Sequence, residues 1–206
     1  LNKQLNNDSV DSLYSEGDRQ KMLAQLNRHT FHLTSLVNDV LEISKMESGT
    51  YPLKMELCDL NAICRDALAQ IQISLQPGVV TVFLPNGEMD HDPTPCMICT
   101  DSNRLGTALL CLLKNACKYT TSGSLSLAYV LQDNLARISV TDTGEGIDHA
   151  IIDHIFYLDQ QKQDGRMAGL GLHKVRVMLD ILHGSISVDK DYHDGARFVI
   201  ELPVKC

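Results

Sequence analysis

Val140-Thr141-Asp142-Thr143-Gly144-Glu145-Gly146-Ile147 is the stretch from which the fold of this chain can be read. The short apolar run Ala136-Arg137-Ile138-Ser139-Val140 reads as a strand, and it delivers Asp142 at its end. A carboxylate at a strand end is rigidly placed. Glycines on either side of Glu145 let backbone and ligand approach closely and tolerate positive φ. Two readings stay open for this octapeptide alone. One is a polar turn whose glycines serve turn geometry. The other is the wall of a ligand site.

The neighbouring segments supply the frame. Ser124 to Leu131 and Ala136 to Thr141 read as strands joined by a hairpin at Gln132-Asp133-Asn134. Upstream, Asp101 or Ser102 caps a helix running to Lys118, and Met97 to Thr100 is a strand. Further upstream, Leu53 to Leu57 alternates as a strand and Val79 to Leu84 reads as another, around a helix from Asp59 to about Ile73. Downstream, His149 to Phe156 reads as a short helix, Leu170 to Leu182 as a longer one, and Ser185 to Val188 and Arg197 to Leu202 as closing strands. The expected fold class is α+β, a two-layer α/β sandwich preceded by a helical bundle stalk. The expected domains are 1–50 for the stalk and 51–206 for the sandwich.

The stalk is the longest periodic segment, from about Ser15 to Glu47. Leu26, Thr30, Leu33, Val37, Val40 and Ser44 recur in steps of four and three, and Leu23, Leu36 and Ile43 widen the stripe. Gly49 and Pro52 close it. Some 30 helical residues span roughly 45 Å. Much of that stripe needs a partner beyond the following domain, and a second copy of the chain is the simplest one.

Composition bounds the function. A chain of 206 residues can bury a proper core. The formal net charge of −8 argues against a nucleic-acid-binding surface. No apolar run approaches the roughly 18 residues of a membrane helix. The polar opening LNKQLNNDSV is no signal peptide, and it reads as a fragment of a longer protein. The seven cysteines are scattered and several sit in apolar patterns, the usage of small buried thiols in a reducing compartment. Cys96-Met97-Ile98-Cys99 lacks a second pair, so it reads as part of a buried strand.

Three further stretches carry chemistry. In Cys111 to Thr120, the residues Cys111, Asn115 and Lys118 lie at i, i+4 and i+7 and share one helix face. An amide oxygen one turn before an ammonium suits Mg²⁺ beside phosphates; a solvated surface pair is the plain alternative. In Ala168 to Val175, Gly169-Leu170-Gly171 immediately before an apolar helix leaves N–H groups free for an anion. Tyr157 to Ala168 has no packing pattern. It reads either as a surface loop or as a lid over a nucleotide, with Lys162 and Arg166 in reach of phosphate.

Taken in order, these stretches resemble the ATP-binding domain of the sensor histidine kinases, in the wider group shared with gyrase, Hsp90 and MutL. The likeness runs from about Tyr51 to Pro203. The stalk ending Leu41-Glu42-Ile43-Ser44-Lys45-Met46-Glu47-Ser48-Gly49 is similar to the second helix of that family's dimerisation and phosphotransfer domain. The resemblance implies ATP and Mg²⁺ as cofactors. It implies Asn115 on the metal, Lys118 on phosphate and Tyr119 near the nucleotide. It implies Asp142 on the adenine amino group, Gly144 and Gly146 shaping the pocket, and Ile147 near the base. Gly169, Leu170, Gly171 and Leu172 would offer N–H groups to the phosphates. It further implies a homodimer through the stalk, a response-regulator receiver as partner, and a cytoplasmic location within a parent that is membrane-anchored or not.

Two positions depart from the family pattern. Cys111 stands where the family has the first Asn of its N box. Ala196 stands where it has a small hydroxyl residue that helps hold the adenine-binding Asp. The family's phosphoacceptor His, with an acidic residue and a nearby Pro, finds no counterpart before Ser15, and the fragment is expected to begin after it. His29 and His32 lack a following carboxylate. No catalytic residue is assigned. The two functions carried forward are the ATP-binding catalytic region of a histidine kinase and a degenerate nucleotide-binding scaffold of the same fold.

Overall fold

The computed structural model describes residues 16–49, 52–87, 94–157 and 170–205. Its described elements are α1 (Glu16–Glu47), β1 (Glu56–Asp59), α2 (Leu60–Ile71), a 3₁₀ turn (Gln72–Ser74), β2 (Val79–Pro85), β3 (Met97–Thr100), α3 (Ser102–Tyr119), β4 (Gly123–Gln132), β5 (Leu135–Asp142), α4 (Leu170–Ile181), β6 (Ser185–Val188) and β7 (Ala196–Pro203).

β2, β4, β5, β7 and β6 form a mixed five-stranded sheet in that order; β1 and β3 form a separate two-stranded one. β2 and β4 are parallel and the other neighbours antiparallel. A parallel pair needs a long crossover, and α3 lies within it. The β4–β5 hairpin turns at Asp133 and Asn134, with φ of 51° and 66°. Two consecutive positive φ values match the right-handed strand twist, and Asp and Asn tolerate them. In β5 the buried residues Ala136, Ile138 and Val140 alternate with exposed Leu135 and Arg137. In β7 Ala196, Phe198, Ile200 and Leu202 do the same. These faces meet Leu105, Leu109, Leu112 and Ala116 of α3 and Val175, Met178 and Leu179 of α4 in one core. Helices on one face of a largely antiparallel sheet give the two-layer sandwich expected from the pattern.

The caps are where the carboxylates place them. Asp59 accepts the Asn61 N–H and caps α2. Asp101 caps α3 by accepting the Arg104 N–H, pairs with the buried Arg104 guanidinium at 2.8 Å, and accepts the Lys54 N–H at 3.0 Å. That last bond explains one departure from expectation. The predicted strand from Leu53 begins only at Glu56, because the Lys54 N–H is committed to Asp101 and not to a neighbouring strand. Leu57 is left 67% exposed.

A second departure is His149 to Phe156. In place of a helix, successive i→i+3 bonds link Ile151 to Asp148, His154 to Ile151 and Tyr157 to His154. The Asp148 carboxylate also takes the Ala150 N–H at the start of this run of turns.

The chain separates into two units, Leu1–Leu41 and Glu42–Cys206. In the first, α1 exposes Met22, Leu23, Leu26, Leu33, Val37, Val40 and Leu41. In the second, the last turns of α1 bury Ile43 and pack Met46 on the core. Among the described residues no helix is long and apolar enough to cross a membrane. Cys58, Cys64, Cys96, Cys111 and Cys117 are free thiols, and burial pushes the Cys64 thiol up to about 12. Cys99 is disulfide-bonded, so the thiol expectation does not extend to it.

Candidate functional site

Asp142 ends β5 between Leu125 of β4 and Ala196 of β7. It is 3% exposed. Its Oδ1 accepts the Gly144 N–H at 2.9 Å and the Ala196 N–H at 3.4 Å. Both bonds fall on Oδ1, so Oδ2 remains available as an acceptor. Burial raises the carboxyl above its ordinary value, and the two N–H donors offset part of that rise.

The glycines around Asp142 are demanded by contact. A Cβ at Gly144 would lie 2.3 Å from the Tyr119 carbonyl oxygen and 2.9 Å from Asp142 Oδ1. A Cβ at Gly195 would lie 2.1 Å from the Asp142 carbonyl oxygen, at a φ of +148°. The octapeptide therefore packs backbone against backbone, with the end of α3 on one side and the turn before β7 on the other. Gly146 lies against Gly195 in the same way. Ile147 follows, half-buried against the core.

The same contact brings in α3. The Tyr119 carbonyl accepts the Glu145 N–H at 3.4 Å. The last turn of α3 and the Asp142 loop thus meet, and α3 presents half-buried Asn115 and exposed Lys118 one turn apart. Lys118 Nζ donates to the Tyr119 hydroxyl at 3.1 Å and lies 4.8 Å from that ring's centre. Cys111, one turn earlier, is a half-buried thiol.

The helix expected from Leu170 is present: among the described residues α4 begins there, with Gly171 and Leu172 in its first turn and Leu170 buried. Among the described residues nothing lies within 4 Å of a Cβ built at Gly171. Gly169 lies outside the described residues, as do Lys162 and Arg166 of the expected lid. The helix still begins where its first N–H groups lack intrahelical acceptors. Phe156 packs edge-on against Phe198 at 6.1 Å, and its carbonyl accepts from His173 Nδ1 at 3.1 Å. A carbonyl only accepts, so that nitrogen carries the proton.

One contributor was not legible beforehand. The Ala196 N–H holds Asp142 where the sequence showed only a missing hydroxyl; Gly195, directly before a strand, is the signal that could have pointed to it. Among the described residues no group of three or more His, Cys, Asp or Glu side chains is placed to hold a metal ion.

Residues 100–205 match the family described as histidine kinase-, DNA gyrase B-, and HSP90-like ATPase. The chain belongs to this ATPase family. The autoinducer 2 sensor kinase/phosphatase LuxQ of Vibrio harveyi is 31% identical over 98% of this chain and 24% of its own length. The sensor protein GacS of Pseudomonas syringae pv. syringae is 29% identical over 87% of this chain and 20% of its own. The chain thus spans between a fifth and a quarter of the length of these relatives. Among solved structures, full-length ShkA in complex with AMPPNP superposes with a TM-score of 0.76 at 28% identity, over 95% of this chain and 40% of that one. The Acinetobacter baumannii histidine kinase AdeS gives 0.71 at 21% identity, over 96% and 90%, a likeness of fold. Within the ATPase family, the kinase relatives identify the domain as the ATP-binding domain of a sensor histidine kinase, a component of two-component signal transduction.

Proposed function

We propose that this region binds Mg·ATP and, in the intact protein, phosphorylates a histidine on the stalk, from which the phosphoryl group passes to an aspartate on a response-regulator receiver. The observation that carries the reading is Asp142: a buried carboxylate fixed through one oxygen by two backbone N–H groups, with the other oxygen left to accept from an adenine amino group. In this reading Gly144 and Gly146 keep the wall thin and Ile147 lies near the base. Tyr119 packs near the nucleotide, Lys118 contacts phosphate, and Gly169 to Leu172 offer N–H groups at the start of α4.

Asn115 fits Mg²⁺ in donor type, because its amide oxygen is a hard ligand, whereas the Cys111 thiol is soft. One amide, with no carboxylate cluster among the described residues, suits an ion held mainly by phosphates and water. When bound, Mg²⁺ would neutralise developing charge on the phosphates. The chain's own residues then bind, orient and position.

We assign residues 1–50 to the dimerisation and phosphotransfer stalk and 51–206 to the catalytic domain. The exposed apolar residues of α1 support a homodimer through the stalk. The region is assigned to the cytoplasmic part of its parent. Calorimetric titration with Mg·ATP tests the site. Incubation of an N-terminally extended chain with radiolabelled ATP, followed by an acid-lability test, addresses transfer. The 206-residue chain itself should bind ATP and acquire no acid-labile label, since neither His29 nor His32 has an adjoining carboxylate. Label lost on His29→Gln or His32→Gln would move the phosphoacceptor into this chain. A second reading is a nucleotide-binding scaffold without transfer. Cys111 and Ala196 favour it, and an extended chain that binds ATP but stays unlabelled would select it.

A further inference from the structure

The hairpin between β6 and β7 is Asp189-Lys190-Asp191-Tyr192-His193-Asp194-Gly195, a charged stretch without an aliphatic residue. Such a loop has little to bury, so its position depends on hydrogen bonds. Yet it is placed closely. A Cβ at Gly195 would meet the Asp142 carbonyl oxygen at 2.1 Å and the Gly144 nitrogen at 2.9 Å. The Ala196 N–H reaches Asp142 Oδ1 at 3.4 Å, longer than such bonds usually are. That bond does not hold the loop; it is set by whatever does.

Arg197 follows Ala196 on the opposite face of β7 and stands in register with Thr141, the residue before Asp142. Its Nε donates to Thr141 Oγ1 at 3.2 Å, and its Nη1 donates to Asp189 Oδ2 at 3.1 Å. Its guanidinium carbon lies 4.2 Å from the centre of the Tyr192 ring. A planar fork suits this combination of two directed bonds and a stacked face. Asp189 is fixed in turn: its N–H donates to the Arg197 carbonyl at 2.8 Å, and its Oδ1 accepts the Asp191 N–H at 3.1 Å. Burial raises the Tyr192 hydroxyl, Asp194 adds to the rise, Arg197 opposes it and Asp142 adds a smaller part, so the loop lies within electrostatic reach of Asp142. One side chain therefore joins the first residue of the loop, its tyrosine and the end of β5. We propose that Arg197 is a positioning residue for the nucleotide base: it fastens the β6–β7 loop to β5 and so fixes the Gly195–Ala196 main chain against Asp142. Without the fork the loop lifts, the Ala196 N–H withdraws, and Asp142 keeps only the Gly144 N–H. Its free oxygen is then poorly aimed, and selection for an amino group on the base falls. The inference rests on the adenine reading of Asp142.

The test is calorimetry on the 206-residue chain with Mg·ATP and with Mg·ITP, whose base carries an oxo group where adenine carries its amino group. The parent should prefer ATP. Arg197→Met keeps an apolar stem on Tyr192 and removes the fork. It should weaken Mg·ATP about fivefold, the size of one hydrogen bond, and leave Mg·ITP within about twofold. Thr141→Val removes one acceptor of the fork; it should weaken Mg·ATP in the same direction and add nothing in the Arg197→Met background. The control is Arg137→Met. Arg137 pairs with Glu201 at 2.6 Å across the same two strands, far from Asp142, and its loss should leave both nucleotides within about twofold. Equal weakening of ATP and ITP by Arg197→Met, no weakening of either, or a loss as large in Arg137→Met would overturn the proposal. If Arg197→Met does not fold, Thr141→Val decides, and parent-level ATP affinity in that variant overturns it. The two failures are distinct. A parent that binds ATP and ITP alike overturns the adenine placement, whereas a parent that prefers ATP and an Arg197→Met that keeps the preference overturn this proposal alone.

Discussion

Asp142→Asn changes one atom's chemistry in a fixed frame. The Asn amide oxygen can still accept the Gly144 and Ala196 N–H groups that now bind Oδ1. The atom replacing Oδ2 becomes an NH₂ group, a donor aimed at the adenine amino group, also a donor. Losing a hydrogen bond to a charged group, with two donors left facing each other, costs about 1.5–3 kcal/mol. At 1.4 kcal/mol per decade that is roughly a 10- to 150-fold loss of ATP affinity. Stability should move the other way or not at all. The Asp142 carboxyl is raised above the ordinary 3.8 by burial, so the ionised form is the one the fold disfavours. Stability linked to this group is complete below the unfolded-state value and is lost as pH rises through the raised one. At neutral pH an uncharged amide therefore escapes that loss, and the melting midpoint should equal or exceed the parent's. The assay is calorimetric titration with ATP beside thermal unfolding. Affinity within threefold of the parent in a folded Asp142→Asn would refute the adenine role. A large fall in melting midpoint would refute the account of how the carboxylate is held.

Gly144→Ala places a methyl 2.3 Å from a backbone oxygen that has no rotamer to yield; it should destabilise the chain by about 1–3 kcal/mol and reduce ATP binding, read by denaturant unfolding and titration. Asn115→Ala should weaken Mg·ATP far more than ATP in excess chelator, and equal losses in both would remove Asn115 from the metal. Acidification should lower adenosine affinity at a pH above the ordinary Asp value of 3.8, because a protonated carboxyl no longer accepts through both oxygens; Asp142→Asn, titrated in parallel, should show no such step.

The sheet and its covering helices were readable because their signals are local. Alternation in β5 and β7, the Asp59 and Asp101 caps, and the turn at Asp133-Asn134 all act within a few residues of themselves. The misreadings came from bonds that reach across the chain or close locally in turns. Lys54 looked like part of a strand, but its N–H goes to Asp101, 47 positions away. His149 to Phe156 carried a helical look, and its backbone bonds close as successive i→i+3 turns instead. The site divided along the same line. Asp142, its glycines, and Asn115 with Lys118 could be picked out as motifs. The closing of Gly195 onto Asp142 and the Tyr119 carbonyl against Gly144 need tertiary structure to be seen.

That division bears on the two departures from the family pattern. Ala196 lacks a hydroxyl, yet its backbone N–H reaches Asp142, and the Gly144 N–H reaches it at shorter range. Main-chain donors do not depend on the identity of the side chain, so the orientation of Asp142 survives at position 196 with only a methyl. Cys111 is different. It sits on the same face of α3 as Asn115, and in the proposed reading it removes a hard side-chain ligand for which no main-chain group on a helix interior can substitute, since those carbonyls are already bonded along the helix. In the proposed reading the adenine end of the site therefore tolerates its substitution, and the phosphate end does not. Restoring the side chains one at a time separates the two ends. Ala196→Ser should change ATP affinity by less than about threefold, because it adds one neutral hydrogen bond to a carboxylate already held twice. Cys111→Asn should strengthen Mg·ATP and leave metal-free ATP unchanged. A gain from Ala196→Ser as large as that from Cys111→Asn would mean that the backbone does not hold Asp142 in place unaided.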